Sequence, residues 1–333
     1  MSHQSRVAVI GSNSFSGSDF VDLLLERGYR VMGISRSAEK SALFLPYKRR
    51  AVAEGAFRFH RLDLNTDTPA ILDRLDAFEP EFIVNFAAQS EVAPSWEHPE
   101  QWFQTNAVAL ASLGNALKDR RYLKRYVHIS SPEVYGTCTG VVTEDAPLNP
   151  STPYAASKAA ADLFLNTLVK NFGFPLVSIR ATNVYGAHQQ LFKIIPRTVI
   201  ALKSERKVPL HGGGVAVKSY IHVRDVSRGE LAAMESGRDG ALYHLSPDGS
   251  HAVRDIVGMI CTRLGRDFFA WTEPVGERLG QDAAYVIDST RARTELGWAP
   301  RIGLDEGLAG VVEWVDANWD EIQQQPLEYV HKV

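Results

Sequence analysis

Short apolar runs alternate with amphipathic stretches through the first half of the chain. The amphipathic stretches, among them residues 69–78 and about 100–118, place apolar side chains at the spacing of a helix. The apolar runs predict strands at Arg6–Ile10, Arg30–Ile34, Phe57–Arg61, Phe82–Phe86, Arg125–Ile129 and Leu176–Arg180. Strands and helices in this alternation predict an α/β fold with a doubly wound parallel sheet of the Rossmann type.

The alternation fades after about residue 186, where glycine-rich and irregular segments follow. We therefore predict a second, smaller domain of mixed α/β structure that binds the substrate. The first domain is predicted to comprise residues 1–180 and about 220–242, because the helix near residues 223–235 returns to it. The second domain takes about residues 181–219 and residues 243–333.

A glycine turn joins the first strand to the first helix. Gly11, Ser14, Phe15 and Gly17 follow the strand directly, and the amphipathic pattern is established by Phe20. Free backbone N–H groups at such a helix N-terminus point at an anion. The turn therefore predicts a dinucleotide site that Gly11, Ser14, Phe15 and Gly17 contact. The alternative is a tight turn that holds no ligand.

The end of the second strand bears on the choice of cofactor. Ser35 stands where an acidic residue would bind the ribose 2′-hydroxyl, and Arg36, which suits a 2′-phosphate, follows at once. We therefore predict NADP as the cofactor and leave NAD open.

Two later strand ends add candidate cofactor contacts. Asp63 and Leu64 follow the third strand, at a position where an adenine could lie. Ala87 and Ala88 follow the fourth strand and are small enough for the cofactor to pass close over the strand end. Either pair could instead be a plain structural turn.

The candidate catalytic groups lie after the fifth strand and at the start of the next helix. Tyr154 and Lys158 are four residues apart in a helix predicted to begin at Pro153, so their side chains share one face. The ammonium is expected to lower the pKa of the phenol from about 10. With Ser131 on the same substrate oxygen, these groups could take a proton from a hydroxyl while hydride leaves the same carbon.

Composition narrows the class of protein. The chain has 333 residues, of which 45% are hydrophobic and 23% charged, and a net charge of −3, as in an ordinary globular protein. It has no run of like charge, so nucleic acid is not an expected partner. Without a secretory leader or an apolar run of about 18 residues, no membrane partner is predicted either. The two cysteines, Cys138 and Cys261, have neither metal-ligand nor disulfide spacing, so we predict a cytoplasmic protein without a metal.

Taken together, these motifs resemble the extended short-chain dehydrogenase/reductases. Within them the chain is most similar to the nucleotide-sugar 4,6-dehydratases that act on dTDP-glucose or GDP-mannose. The resemblance runs from Val7 to about Gly310. The matching pieces, in family order, are Gly11–Gly17, Asp63–Leu64, Ala87–Ser90, Ser131–Gly136, Glu144–Pro150, Tyr154–Lys158 and Arg180–Gly186.

The resemblance implies a lyase that converts a nucleotide-diphosphate hexose into its 4-keto-6-deoxy form. Ser131, Tyr154 and Lys158 would oxidise C4, and Glu133 would remove the proton from C5. Glu133 and the segment 277–288 favour this activity over the 4-epimerases and decarboxylases of the family, which remain the alternatives. A dinucleotide-binding sensor without catalysis is the alternative from a different class.

The resemblance also implies a substrate site and a homodimer. Relatives usually dimerise through the helices near residues 106–118 and 154–172. The candidate residues for binding the nucleotide sugar are Ser90, Asn183, Lys193, Lys218 and Arg278.

The chain departs from the family pattern at several of these positions. Ser14 replaces the middle glycine of the turn, and Lys218 replaces an arginine near the diphosphate. Gln281 and Ala284 replace a histidine and an arginine of the signature segment, which suggests an altered pocket. Pro132 stands where dTDP-glucose dehydratases carry the acid that protonates the leaving water. That role is left open between Ser131 and Tyr154.

Overall fold

A seven-stranded parallel sheet forms the centre of the structure, a computed structural model that describes residues 5–138, 140–276 and 286–331. Its strands are β1 (Arg6–Ile10), β2 (Arg30–Ser35), β3 (Phe57–Arg61), β4 (Phe82–Asn85), β5 (Arg125–Ile129), β6 (Leu176–Ala181) and β7 (Leu242–Leu245). The strands lie in the order β7–β6–β5–β4–β1–β2–β3, and each neighbouring pair is parallel. The predicted fold class, a doubly wound parallel sheet, is confirmed.

Helices cover both faces of this sheet and build the part of the chain beyond it. The longer helices are α1 (Phe15–Glu26), α2 (Thr68–Phe78), α3 (Leu110–Leu117), α4 (Pro153–Phe172), α5 (Ile194–Lys203), α6 (Val223–Ser236), α7 (Val253–Arg263), α8 (Thr290–Leu296) and α9 (Leu304–Ala317). Shorter helical turns occur at Pro46–Arg49, Ala93–Trp96, Pro99–Phe103, Pro132–Tyr135, Gly212–Gly214, Phe268–Trp271 and Trp319–Ile322. Within the described ranges, no helix combines the length and apolar character needed to cross a membrane.

Pairs of short strands connect the remaining segments. Val141–Val142 pairs with Val286–Ile287, and Asn183–Tyr185 pairs with Tyr220–His222. The other two pairs are Val208–His211 with Thr272–Val275, and Val217–Lys218 with His251–Ala252.

The helix predicted near residues 100–118 is interrupted. A π-helical segment, Gln104–Ala109, lies between Pro99–Phe103 and α3. Inside it the Asn106 side chain accepts from the backbone N–H of Gln89 at 2.8 Å and donates to the carbonyl of the same residue at 3.0 Å. The side-chain amide of Asn106 in the π-helical segment therefore holds the segment after β4 in place. Such π-helical segments are common at functional sites.

The apolar side chains form separate cores for the sheet and for the later part of the chain. α6 packs against α1, where Ser227 Oγ donates to Asp19 Oδ2 at 2.7 Å. α5, α7 and α9 bury a second cluster that includes Val199, Ile260 and Val311.

The predicted division into two domains remains a prediction, and the structure adds two facts to it. Strand β7, Leu242–Leu245, straddles the boundary placed near residue 242. Ala292 of α8 and Trp298 pack into the core of the sheet, although the predicted division places residues 243–333 in the second domain. Trp298 is held there because its Nε1 donates to the backbone carbonyl of Asp225 at 2.8 Å.

The glycine turn after β1 is the tightest point of the sheet edge. Gly11 has φ +86°, and a Cβ atom built on it would lie 2.6 Å from the backbone nitrogen of Ala87. Gly17 is equally confined, because its Cβ would lie 2.4 Å from the carbonyl oxygen of Gly11. Only glycine lets the turn lie this close to the end of β4 and to the start of α1.

Gly11→Ala should therefore destabilise the fold more than a positive φ alone requires. Gly55 is the matched control: it has φ +77°, and among the described residues a Cβ there would meet nothing within 4 Å. We expect Gly55→Ala to lower the free energy of unfolding by about 1 kcal/mol and Gly11→Ala to lower it by more than about 3 kcal/mol. Denaturant unfolding of both variants measures the difference, and equal losses would show that the contact with Ala87 costs nothing.

Candidate active site

A cleft of about 600 Å³ opens at the carboxyl ends of β1, β2, β3 and β4. It lies where the strand order reverses, between β1 and β4, which is where open α/β sheets bind their ligands. The cleft brings together most residues predicted to contact the cofactor, together with Ser90: its lining includes Gly11, Ser14, Arg36, Asp63, Leu64, Ala87 and Ala88. Four further residues predicted to contact the cofactor lie outside this lining: Phe15 and Gly17 are buried in the first turn of α1, and Tyr154 and Lys158 belong to α4.

α1 begins at this cleft, and its N-cap residue is part of the lining. Ser14 is its N-cap, and the hydroxyl accepts from the N–H of Gly17 at 3.0 Å. Ser14 therefore has a structural task of its own in the glycine turn. The helix still offers an N-terminus to an anion, and a pyrophosphate suits that place.

The cleft wall beyond β2 is hydroxyl-rich and basic. The Ser35 hydroxyl accepts from the backbone N–H of Asn13 at 3.0 Å, so it holds the glycine turn in position. Arg36 and Lys40 line the cleft just beyond. Position 35 therefore offers no carboxylate that could bind a ribose 2′-hydroxyl. The cations beside it are Arg36 and Lys40.

A second cavity, of about 180 Å³, contains the chemistry predicted at the ends of β5 and β6. The structure brings Ser131, Glu133, Tyr154 and Asn183 together in its lining. Ser131 caps the helical turn Pro132–Tyr135, and its hydroxyl accepts from the N–H of Glu133 at 3.3 Å. The serine and the acid two residues later thus point into one cavity because they share one N-cap.

Tyr154 and Lys158 are fixed by the way α4 begins. Thr152 caps the helix by accepting from the N–H of Ala155 at 3.1 Å, and Pro153 occupies the first turn, as predicted. Lys158 is buried beneath the cavity, where its ammonium donates to the carbonyl oxygen of Ile129 at 2.7 Å.

Burial raises the pKa of Tyr154, and the Glu133 carboxylate raises it further, against a hydrogen bond from Ser131 that lowers it. The expectation of a pKa below the ordinary value is therefore wrong for this structure. Desolvation of the phenolate outweighs the other influences, because the ring lies almost wholly inside the protein. The same burial lowers the pKa of Lys158 to about 8, although the carboxylate of Asp162 favours the ammonium.

A buried polar cluster that the sequence analysis missed supports these residues. The Asp162 carboxylate accepts from Ser130 at 2.7 Å and from the Arg180 guanidinium at 2.6 Å. His128 Nε2 lies 3.2 Å from the other carboxylate oxygen. Asp162 stands four residues after Lys158 on one face of α4, which was the one signal for it in the sequence.

The predicted substrate residues are dispersed. Asn183 lines the second cavity, and its amide donates to the carbonyl of Ser219 at 3.2 Å. Lys193 forms an ion pair at 2.7 Å with Glu91, which lines the cleft, whereas Lys218 lies in the short strand Val217–Lys218. Among the described residues that line the two cavities, neither lysine occurs.

Arg278 lies outside the described residues, as do Gln281 and Ala284 of the signature segment.

The C-terminal segment is a further part of the cleft that the sequence analysis did not predict. Gln325, Pro326 and Glu328–Val330 line it, and Tyr329 packs edge-on against Phe192 at 5.4 Å between ring centroids. No motif marks this segment, because its place depends on how the chain folds back over the cleft.

The residues fit a bound dinucleotide. The turn is a cradle that a Cβ atom at Gly11 or Gly17 would fill, and the second cavity has orphaned polar atoms in its wall. These are the Thr182 hydroxyl and the Glu230 carboxyl, both buried and without a hydrogen-bond partner among the described residues. Fold and site together define an enzyme of the short-chain dehydrogenase/reductase class.

Comparisons with known proteins narrow this class. A family model described as GDP-mannose 4,6 dehydratase matches residues 9–311. The dTDP-glucose 4,6-dehydratase of Streptomyces griseus is 33% identical over 313 residues, which cover 93% of this chain and 94% of that protein. A solved dTDP-glucose 4,6-dehydratase from Streptomyces venezuelae, with NAD bound, is 31% identical with a TM-score of 0.87 and covers 95% of this chain and 98% of its own.

A UDP-glucuronic acid 4-epimerase from Bacillus cereus shares the fold, with a TM-score of 0.84, 24% identity and coverage of 94% of this chain and 99% of its own. The chain belongs to the GDP-mannose 4,6-dehydratase family. The predicted class, a nucleotide-sugar 4,6-dehydratase and therefore a lyase, is confirmed by these relatives.

Lys158 should make the stability of the fold depend on pH in the alkaline range. The pKa of Lys158 falls from 10.5 to about 8 on folding. Above pH 10.5 the side chain is neutral in the folded and the unfolded chain, so it does not oppose folding. As the pH falls through 8 the buried side chain must become charged, and this stability is lost. Lys158→Met should therefore raise the free energy of unfolding, relative to wild type, by up to about 3 kcal/mol more at pH 7 than at pH 10.

Denaturant unfolding at both pH values measures this difference, and Lys170→Met, on the exposed side of the same helix, is the control. A Lys158→Met difference that does not change with pH would show that the lysine keeps an ordinary pKa in the folded chain.

Proposed function

We propose that the chain dehydrates a nucleotide-diphosphate hexose to the 4-keto-6-deoxy sugar in the second cavity. The observation that carries the proposal is the presence of a carboxylate, Glu133, in the same small cavity as Ser131 and Tyr154. Oxidation at C4 alone needs only the hydroxyl groups and Lys158. A base beside these groups allows the oxidised sugar to react further by losing a proton.

Tyr154, oriented by Ser131, takes the proton of the C4 hydroxyl as hydride leaves C4. The dinucleotide, when bound, supplies the hydride acceptor and later the hydride donor. Gly11, Ser14 and the first turn of α1 would hold its pyrophosphate, with Ala87 and Ala88 beneath it. With its pKa lowered to about 8, Lys158 is partly neutral near that pH and can take the phenolic proton that Tyr154 must lose before it can accept the proton of the C4 hydroxyl.

The 4-ketone acidifies the neighbouring C5–H bond, and Glu133 takes that proton as general base. The C6 hydroxyl then departs with a proton as water and leaves a C5–C6 double bond conjugated with the ketone. Two donors of the cavity can supply this proton, Ser131 or Tyr154, because Pro132 has none to give. Hydride added at C6 and a proton at C5 complete the 4-keto-6-deoxy sugar.

Glu133→Gln should separate oxidation from dehydration. The amide keeps the size of the side chain but cannot accept the C5 proton, so the release of water should slow by about 10²-fold or more. The C4 oxidation should continue, visible as a rise in nicotinamide absorbance when a nucleotide hexose is mixed with the loaded enzyme.

Mass spectrometry in D₂O supplies the second readout. Wild type and the exposed control Glu97→Gln should give a product that has lost water and gained solvent deuterium at C5. If Glu133→Gln still places solvent deuterium at C5 at the wild-type rate, the carboxylate is not the base. A wild-type product of unchanged mass, or one that has lost carbon dioxide, would point to an epimerase or a decarboxylase.

The preference for NADP over NAD is part of the proposal. It is supported by Ser35, whose hydroxyl is engaged with the glycine turn, and by the cations Arg36 and Lys40 in the cleft wall. A guanidinium binds a 2′-phosphate by charge-assisted hydrogen bonds and has no comparable partner on a 2′-hydroxyl. The solved relative from Streptomyces venezuelae has NAD bound, so this chain would differ from it.

Arg36→Ala should weaken binding of NADP by about tenfold or more, since a hydrogen bond to a charged group is worth about 1.5–3 kcal/mol. Binding of NAD should change by less than about threefold. Calorimetric titration with both cofactors measures the two dissociation constants, and Arg58→Ala, an exposed arginine of β3, is the control. Tighter binding of NAD than of NADP by the wild type would contradict the preference.

The homodimer and the cytoplasmic location also belong to the proposal. Apolar side chains remain exposed on the predicted dimer helices: Val108 is 52%, Leu163 60% and Phe172 54% exposed. These exposures support pairing through this face, since a second copy would cover them. The cytoplasmic location rests on the spacing of Cys138 and Cys261 in the sequence, which fits no disulfide framework.

A further inference from the structure

One carboxyl group in the wall of the second cavity has no task in the reaction above. Glu230, on α6, has an exposed fraction of 0%, and both of its carboxyl oxygens lack a hydrogen-bond partner among the described residues. The Thr182 hydroxyl, from the end of β6, lies in the same wall, equally orphaned. A buried polar group without a partner destabilises a fold, so two of them beside a reactive cavity suggest a ligand that completes them.

The neighbours of Glu230 indicate a neutral group. The charged group that acts on Glu230 from a packed element is Asp19 of α1, a second carboxylate, which accepts from Ser227 and pairs with Arg224 at 3.3 Å. Arg228, on the same helix, is turned to Asp225. Burial, helped by Asp19, raises the pKa of Glu230 well above its ordinary value. A protonated carboxyl has one O–H donor and one carbonyl acceptor.

The position of this wall assigns it to the cofactor rather than to the sugar. Ser16, two residues after the N-cap of α1, is part of it, so the wall continues directly from the pyrophosphate turn. Ile129, Val184 and Val226 give it an apolar surface of the kind that accepts a flat ring. The groups that act on the sugar hydroxyl, Ser131 and Tyr154, come from the helical turn after β5 and from α4.

We propose that Glu230, as a neutral acid, binds the primary carboxamide of the nicotinamide ring together with Thr182, and so positions the ring beside Tyr154. The O–H of the acid donates to the amide carbonyl, and its carbonyl oxygen accepts from the amide N–H. The two groups are matched donor to acceptor, as the orphaned atoms require. This inference rests on the proposed function, because it needs a dinucleotide in the cavity.

The inference predicts how the chain distinguishes NADP from its 3-acetylpyridine analogue, which keeps the carbonyl and lacks the amide N–H. Wild type should bind NADP at least tenfold more tightly than the analogue in calorimetric titration. Glu230→Leu should lose about tenfold in affinity for NADP and bind both compounds within threefold of each other. Glu230→Gln, whose amide also donates and accepts, should stay within about threefold of wild type for NADP. Glu235→Gln on the same helix is the control.

Thermal unfolding without a dinucleotide distinguishes a positioning residue from a structural one. Because Glu230 has no hydrogen-bond partner in the described part of the chain, the Leu and Gln variants should melt at or above the temperature of the wild type. Equal binding of NADP and its analogue by the wild type, or an unchanged ratio in Glu230→Leu, would overturn the inference while leaving the proposed function intact. So would Glu230→Gln binding NADP as weakly as Glu230→Leu, since a charge would then be required. A wild type that binds neither NAD nor NADP would instead overturn the proposed function.

Discussion

The site depends on the hydrogen bonds that join α4 to the carboxyl end of β5. Lys158 donates to the carbonyl of Ile129, and one turn further along α4 the Asp162 carboxylate accepts from Ser130. These two contacts bind successive turns of the helix to successive residues of the strand end. Tyr154, one turn before Lys158 on α4, is therefore held beside Ser131.

These hydrogen bonds involve charged side chains that are buried away from water. Asp162 is balanced by Arg180 at 2.6 Å and by the ammonium of Lys158, while burial lowers the pKa of His128 to about 4 and keeps that ring neutral. Such buried pairs rarely add stability over an apolar core of the same volume. Here the buried pairs serve to orient side chains, because a carboxylate that accepts from several donors fixes the position of each of them. Glu230 is the contrasting case, because it is buried without such partners among the residues that the structure describes, and the proposed carboxamide would supply them.

Much of this architecture could be predicted from local sequence signals. The strands, the glycine turn and the start of α4 at Pro153 depend on residues that are neighbours in the chain, and the structure confirms them. The tertiary partners could not be predicted in this way. Arg180 meets Asp162, and the segment from Gln325 reaches the cleft, only because distant elements pack together. The direction of the pKa shift of Tyr154 was missed for the same reason, because the i to i+4 spacing from Lys158 carries no information about burial.

The central claim is that hydride leaves C4 of the sugar and returns to C6 of the same molecule. A nucleotide hexose labelled with deuterium at C4, turned over by the wild-type chain and analysed by mass spectrometry and proton NMR, tests this directly. The product is expected to have lost water and to carry the label in its C6 methyl group. A product in which the label remains at C4, or has been lost from the sugar altogether, would contradict it.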